Sequence, residues 1–180
     1  SGGVEAKIIV IPTASSIPVV VGDNYISAFK KLSCSNVHVL DIRKTEDCED
    51  AQTLALVRSA DCVMFSGGNQ SKITEIIGQT TLHKLLTERY LNEDFVIAGT
   101  SAGAMAMAKE MIAGGSSTEA MQKGAVILRD GLSLIAELVV DTHFIRRGRF
   151  GRLAEAIAIY PKLIGVGLAE DTGMVIKNGR

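Results

Sequence analysis

Gly99-Thr100-Ser101-Ala102-Gly103 follows directly on the apolar run Phe95-Val96-Ile97-Ala98 and leads into an Ala- and Met-rich stretch, Ala102 to Lys109. A short apolar run bounded by a turn signal reads as a buried strand, and the stretch after it reads as a helix. Gly-x-Ser-x-Gly at a strand-to-helix turn is the nucleophile-elbow pattern: the glycines permit a tight turn that presents the serine hydroxyl at the helix N-terminus. There, unsatisfied N–H groups and the positive end of the helix dipole can stabilise a developing oxyanion. Without its flanking elements the same pentapeptide is an ordinary Gly/Ser turn. The strand before it and the helix after it make Ser101 the candidate nucleophile.

A hydroxyl attacks only once a base takes its proton, and that base is usually an imidazole held by a carboxylate. The chain has three histidines. His38 sits inside a strand pattern and His83 on a polar helix, so both read as surface or packing residues. His143 stands at the end of the run Leu138-Val139-Val140-Asp141, which makes it the candidate base. Two acids compete to orient it: Glu170, at the end of the run Ile164 to Leu168, and Glu119, in the loop after the elbow helix. Glu170 is preferred. Asp141 is close by in sequence and could equally orient a substrate amine.

Gly67-Gly68-Asn69-Gln70 follows the run Cys62-Val63-Met64-Phe65. A glycine pair there allows backbone to approach a ligand closely, so the Gly68 N–H is expected to join that of Ala102 as oxyanion donors, with Gln70 touching substrate. An N-capped turn is the competing reading. Arg146-Arg147-Gly148-Arg149-Phe150-Gly151-Arg152 opens a helix, where the dipole disfavours cations. Arg147, Arg149 and Arg152 are therefore expected to hold an anion, most simply a substrate carboxylate. The competing readings are a solvated basic face, or a phosphate or RNA contact.

Positioning these residues requires a sheet. Apolar runs at Lys7–Ile11, Val37–Asp41, Cys62–Phe65, Phe95–Ala98, Leu138–Asp141, Ile164–Leu168 and Met174–Lys177 are read as strands. Helices are expected over Gly22–Leu32, Asp50–Arg58, Ser71–Ile77, Leu82–Leu91 and Arg147–Tyr160, and Gly114–Thr118 as a flexible loop. Continuous rather than alternating apolar strands, separated by helices, predict an α/β fold with a mostly parallel sheet covered by helices on both faces. Sites in such folds lie at the carboxyl ends of the strands, where the candidate residues fall.

The 180 residues suit one domain, 1–180, with a sizeable core. A net charge of −1 with 4% aromatic residues argues against nucleic acid and anionic membrane as partners. No apolar run approaches a membrane span, and three cysteines without paired spacing read as reduced thiols of a cytoplasmic protein. Both ends read as cut, because strand patterns stand almost at each terminus, and this leaves secretion open. The proposed chemistry needs only side chains and backbone N–H groups, so no metal or cofactor is expected.

Together these motifs resemble the cyanophycinases, serine peptidases of family S51 related to the aspartyl dipeptidases (peptidase E). The resemblance rests on Ile11-Pro12-Thr13-Ala14-Ser15-Ser16, Gly67-Gly68-Asn69-Gln70, Gly99 to Ala104 and Asp141-Thr142-His143-Phe144. Arg147-x-Arg149-x-x-Arg152-Leu153 and Gly165 to Thr172 complete it, in the family's order and over nearly the whole chain. It implies a flavodoxin-like fold similar in outline to the class I glutamine amidotransferases. Ser101 would be the nucleophile, His143 the base and Glu170 its partner, with Gln70, Asp141, Arg149 and Arg152 lining the pocket. Family members hydrolyse cyanophycin, a polyaspartate bearing arginine on each β-carboxyl, to β-Asp-Arg dipeptides, and the resemblance suggests a homodimer. Glu119 or Asp171 would meet the substrate's guanidinium. Thr142 and Asn69 depart from the family's common Gln and Asp. The alternatives are an aspartyl dipeptidase cleaving Asp-X, and a non-enzymatic module using Ser101 and the glycines to hold an anion.

Overall fold

The computed structural model describes residues 2–115 and 124–177. They fall into two compact units, Ser1–Gly103 and Ala104–Arg180.

In the first unit the run Ile8–Ile11 forms β1, with all four side chains buried. Pro18–Lys31 is α1, Val37–Val39 β2, Ala51–Arg58 α2 and Cys62–Phe65 β3. Gln70–Ile77 is α3, Thr81–Asn92 α4 and Val96–Gly99 β4. The strands hydrogen-bond in the order β2-β1-β3-β4, all parallel, which is the flavodoxin-like order. The α/β reading with a mainly parallel sheet therefore holds. Ile11, Phe65 and Gly99 are register partners across three neighbouring strands. Level strand ends deliver the segments after Phe65 and Gly99 to the same edge of the sheet.

Local chemistry sets most helix starts. Asp50 accepts from the Thr53 N–H ahead of α2, Asn69 from Ser71 N–H ahead of α3, and Thr80 from His83 N–H ahead of α4. The first helix begins at Pro18, four residues before the expected Gly22. Pro18-Val19-Val20-Val21 reads as extended by side-chain type, yet proline at the first helical position brings a preset φ and no orphan N–H.

In the second unit Glu110–Gly115 forms β5 and Val126–Asp130 β6, an antiparallel pair with a register shift between Ile112 and Gly114. Leu138–Thr142 is β7, Phe150–Ile159 is α6 and Ile164–Leu168 is β8; the two strands run parallel with the helix between them. Met105, Ile112, Val126, Val139, Leu153 and Ala156 form this unit's core.

Several expectations are corrected here. The helix after Ser101, α5, spans Ala102–Ala106 rather than reaching Lys109. Beyond it, Leu134 N–H donates to Met107 C=O and Lys109 N–H to Ile135 C=O, so tertiary pairing draws good helix formers into extended structure. Gly114 and Gly115 lie in β5 rather than in a loop, and residues 116–118 lie outside the described residues. The arginine-bearing helix begins at Phe150, three residues after Arg147, since Gly148 at φ +58 breaks the turn. Met174–Lys177 belongs to no strand among the described residues; apolar character makes a strand only where a partner supplies the ladder. No helix among the described residues is long and apolar enough to cross a membrane.

Candidate active site

Ser101 lies two residues past the end of β4 and adopts φ +51. A left-handed serine is costly and persists only where the surroundings enforce it. Gly103 supplies part of that enforcement: a Cβ there would lie 2.4 Å from the Phe65 carbonyl oxygen. The last glycine of the motif thus lets the turn press against the end of β3. Thr100 N–H donates to Phe65 C=O at 3.1 Å and Gly103 N–H to Thr100 C=O at 2.9 Å.

The neighbouring segment is equally constrained. Gly68 has φ +141, and a Cβ on it would stand 2.1 Å from the Ala14 carbonyl oxygen. Asn69 N–H donates to that same carbonyl at 2.9 Å. A Cβ on Gly67 would meet the Ser101 Cβ at 3.4 Å, so Gly67 and the serine are adjacent. Asn69 caps α3 through its side chain, and Gln70 is the first residue of that helix. The segment is thus a capped turn, and it sets Gly67 beside Ser101.

In the second unit the parallel pairing of β7 and β8 matches Thr142 with Leu168, which sets the residues just past each strand side by side. His143 Nδ1 and Glu170 Oε1 are 2.9 Å apart, with each side chain about one third exposed. The hydrogen bond to His143 is the main cause holding the Glu170 carboxyl below the usual glutamate range. An ionised carboxylate only accepts, so Nδ1 carries the proton and Nε2 is the ring's basic nitrogen. His143 itself sits at φ +50. Of the two acids, Glu170 meets the histidine; Glu119 lies outside the described residues.

Asp141 and Arg152 form a buried ion pair. Asp141 is fully buried and Arg152 is 5% exposed. Arg152 Nε and Nη2 donate to the two carboxylate oxygens at 2.7 and 2.6 Å. Arg149 Nη1 adds a bond to Asp141 Oδ1 at 3.2 Å and another to Thr142 C=O at 2.6 Å. Burial, and then the neighbouring Arg152, lower the Arg149 pKa from its usual value. This cluster clamps the backbone that carries His143, and Arg147 remains exposed on the turn. The i, i+8 and i, i+11 spacing of these partners is no sequence signal. Thr142 is also turned inward, its hydroxyl 3.4 Å from Met105 Sδ. His38 and His83 bond locally, to Asn36 and to the Gln79 N–H.

A model of the family described as Peptidase family S51 matches residues 1–180. Cyanophycinase of Trichormus variabilis is 38% identical over 177 residues, covering 98% of this chain and 59% of the relative. Cyanophycinase of Geminocystis herdmanii is 36% identical over 177 residues, covering 98% of this chain and 65% of the relative. The chain thus spans about three fifths of the length of the curated relatives it matches. A peptidase from an acI-B1 Actinobacterium has a similar fold, with TM-score 0.62 and 23% identity, covering 91% of this chain and 67% of that one.

Proposed function

The chain belongs to peptidase family S51, and from that premise we propose that it is a serine peptidase that hydrolyses cyanophycin to β-Asp-Arg dipeptides through an acyl-enzyme on Ser101. The observation that carries this reading is the 2.9 Å pair of His143 Nδ1 and Glu170 Oε1, which prepares a basic Nε2. The names of the relatives support the substrate.

In the proposed reaction His143 Nε2 removes the Ser101 hydroxyl proton as the oxygen attacks the scissile carbonyl. The resulting oxyanion accepts hydrogen bonds from the Gly68 and Ala102 N–H groups. As the intermediate collapses, the C–N bond breaks and the imidazolium returns its proton to the leaving amine. Water then adds to the acyl-enzyme with His143 again as base, and the serine leaves with that proton. Throughout, Glu170 holds the imidazole in one tautomer and steadies its charged form. Arg147 is an exposed arginine offered to substrate carboxylates, with Gln70 at the start of α3 as a second contact. Arg149 and Arg152, bound to Asp141, are assigned to shaping the pocket rather than to direct contact.

The reading takes residues 1–180 as one peptidase domain, acting as a homodimer in the cytoplasm. Burial pushes the thiols of Cys48 and Cys62 up to about 11, so both are inert, and all three cysteines are free, which supports a reducing compartment.

The test is release of β-Asp-Arg from purified cyanophycin by the full protein, with Ser101→Ala alongside. Removing a triad member is expected to lower turnover by about 10⁴–10⁶. Ser101→Ala with near-normal turnover would overturn the nucleophile. Ser101-dependent cleavage of Asp-X dipeptides with no release from polymer would overturn the substrate and favour an aspartyl dipeptidase.

A further inference from the structure

Resting on the reading of Ser101 as nucleophile, we propose that Tyr25 is a positioning residue for that serine and acts through the side chain of Thr100. Tyr25 lies on α1, far from the elbow in sequence. Its ring packs on the cluster of Ala6, Ile8 and Val10 under the sheet, and its centroid is 6.4 Å from that of Phe29 at an interplanar angle of 29°. From that fixed ring the phenol oxygen reaches within 2.5 Å of Thr100 Oγ1, at the short end of hydroxyl hydrogen bonds.

Thr100 immediately precedes the nucleophile. Its backbone is bonded to Phe65 C=O on one side and to Gly103 N–H on the other. The next residue is the left-handed Ser101 at φ +51, a conformation that depends on its neighbours to persist. An exposed threonine side chain would sample several staggered wells. The bond to Tyr25 selects one of them and ties the strained turn to a helix that carries no other part of it. Through this link the serine hydroxyl is held at the angle at which its attack is productive, and reactivity follows such small displacements closely. Burial pushes the Tyr25 phenol above its usual value, so the bond does not titrate in the neutral range.

The experiment compares Tyr25→Phe, Thr100→Val, Thr100→Ser and the double variant Tyr25→Phe/Thr100→Val in the full protein. It reads the second-order rate of reaction with a fluorophosphonate, together with kcat and KM on peptide substrate. Phenylalanine keeps the ring contacts and removes only the hydroxyl. Tyr25→Phe and Thr100→Val are each expected to slow phosphonylation about 3- to 10-fold, the size of one net hydrogen bond. The loss should fall on kcat with KM unchanged, and its size should be the same from pH 6 to 9. Thr100→Ser should react at the wild-type rate, and the double variant should be no slower than the slower single one. A wild-type rate in Tyr25→Phe, or single losses that multiply in the double variant, would overturn the role of Tyr25. Should Tyr25→Phe not fold, Thr100→Val and its rescue by Thr100→Ser decide the question. Ser101→Ala separates the two readings. Labelling that persists in it overturns the nucleophile and this inference together. Labelling lost there but undiminished in Tyr25→Phe overturns only the inference.

Discussion

Asp141→Asn isolates what the buried arginine cluster does. The Asp141 carboxylate accepts from Thr142 N–H at 2.8 Å, from Arg149 at 3.2 Å, and from Arg152 at 2.7 and 2.6 Å. It is fully buried and Arg152 nearly so. The amide has almost the same shape but no charge, and its NH2 would face guanidinium donors where an oxygen now accepts. Two desolvated cations would be left without their counter-charge. Removing one partner of a buried pair costs about 3–5 kcal/mol, a large share of the roughly 5–15 kcal/mol that stabilises a domain. Urea unfolding followed by far-UV circular dichroism is the assay. The expected outcome is a midpoint lowered by that amount at an unchanged slope. The double variant Asp141→Leu/Arg152→Met should recover part of the loss, because it leaves one cation, Arg149, without its counter-charge instead of two. An open substrate contact would behave otherwise: KM would rise while stability moved by no more than about 0.5 kcal/mol. That second pattern would refute the structural role and restore Asp141 and Arg152 to the substrate.

Gly68→Ala is expected to disable the proposed oxyanion donor without touching the proposed nucleophile. The new methyl would meet the Ala14 carbonyl oxygen at 2.1 Å, backbone that cannot step aside, so the segment must lift away. Loss of one such donor costs about 100- to 1,000-fold in kcat, and steady-state kinetics near the wild-type value would remove Gly68 from the site. Stability is also expected to depend on pH in one direction. The carboxyls of Glu170, Glu49 and Asp47 are held low by hydrogen bonds from His143, Thr81 and the Arg43 N–H respectively. Groups depressed in the folded state stabilise it above their unfolded values, about 4 for carboxylates, and that contribution disappears as pH falls through the lowered ones. Urea midpoints should therefore be level in this respect at neutral pH and decline below about pH 4; midpoints rising over that interval would contradict the assignments.

Much of the site was legible because its signals are local. Gly-x-Ser-x-Gly after an apolar run marks the tight strand-to-helix turn, since only glycine tolerates the close approach that Gly103 makes to Phe65. Gly67-Gly68 carries the same message at the end of β3, and the runs that become β1, β3 and β8 are continuous apolar segments. The His143–Glu170 pair was also within reach, because both residues follow strand patterns and parallel neighbours bring strand ends together. The hairpin of β5 and β6 was not. Its first strand follows directly on strong helix formers, and only pairing with a distant segment overrides that propensity.

The sequence alone determined which residue types can perform the chemistry and, through apolar periodicity and glycine placement, that they stand at the ends of parallel strands. The tertiary structure decided how the charges are used. The family resemblance implies a pocket lined by Asp141, Arg149 and Arg152, and the fold shows Asp141 accepting hydrogen bonds from both arginines inside the second unit. Tyr25 carried no signal at all, because a tyrosine on a helix looks the same whether its hydroxyl meets water or Thr100. Spacing along a chain encodes the period of a helix or strand; which side chains meet across elements depends on packing and desolvation, and these exist only once the elements have come together.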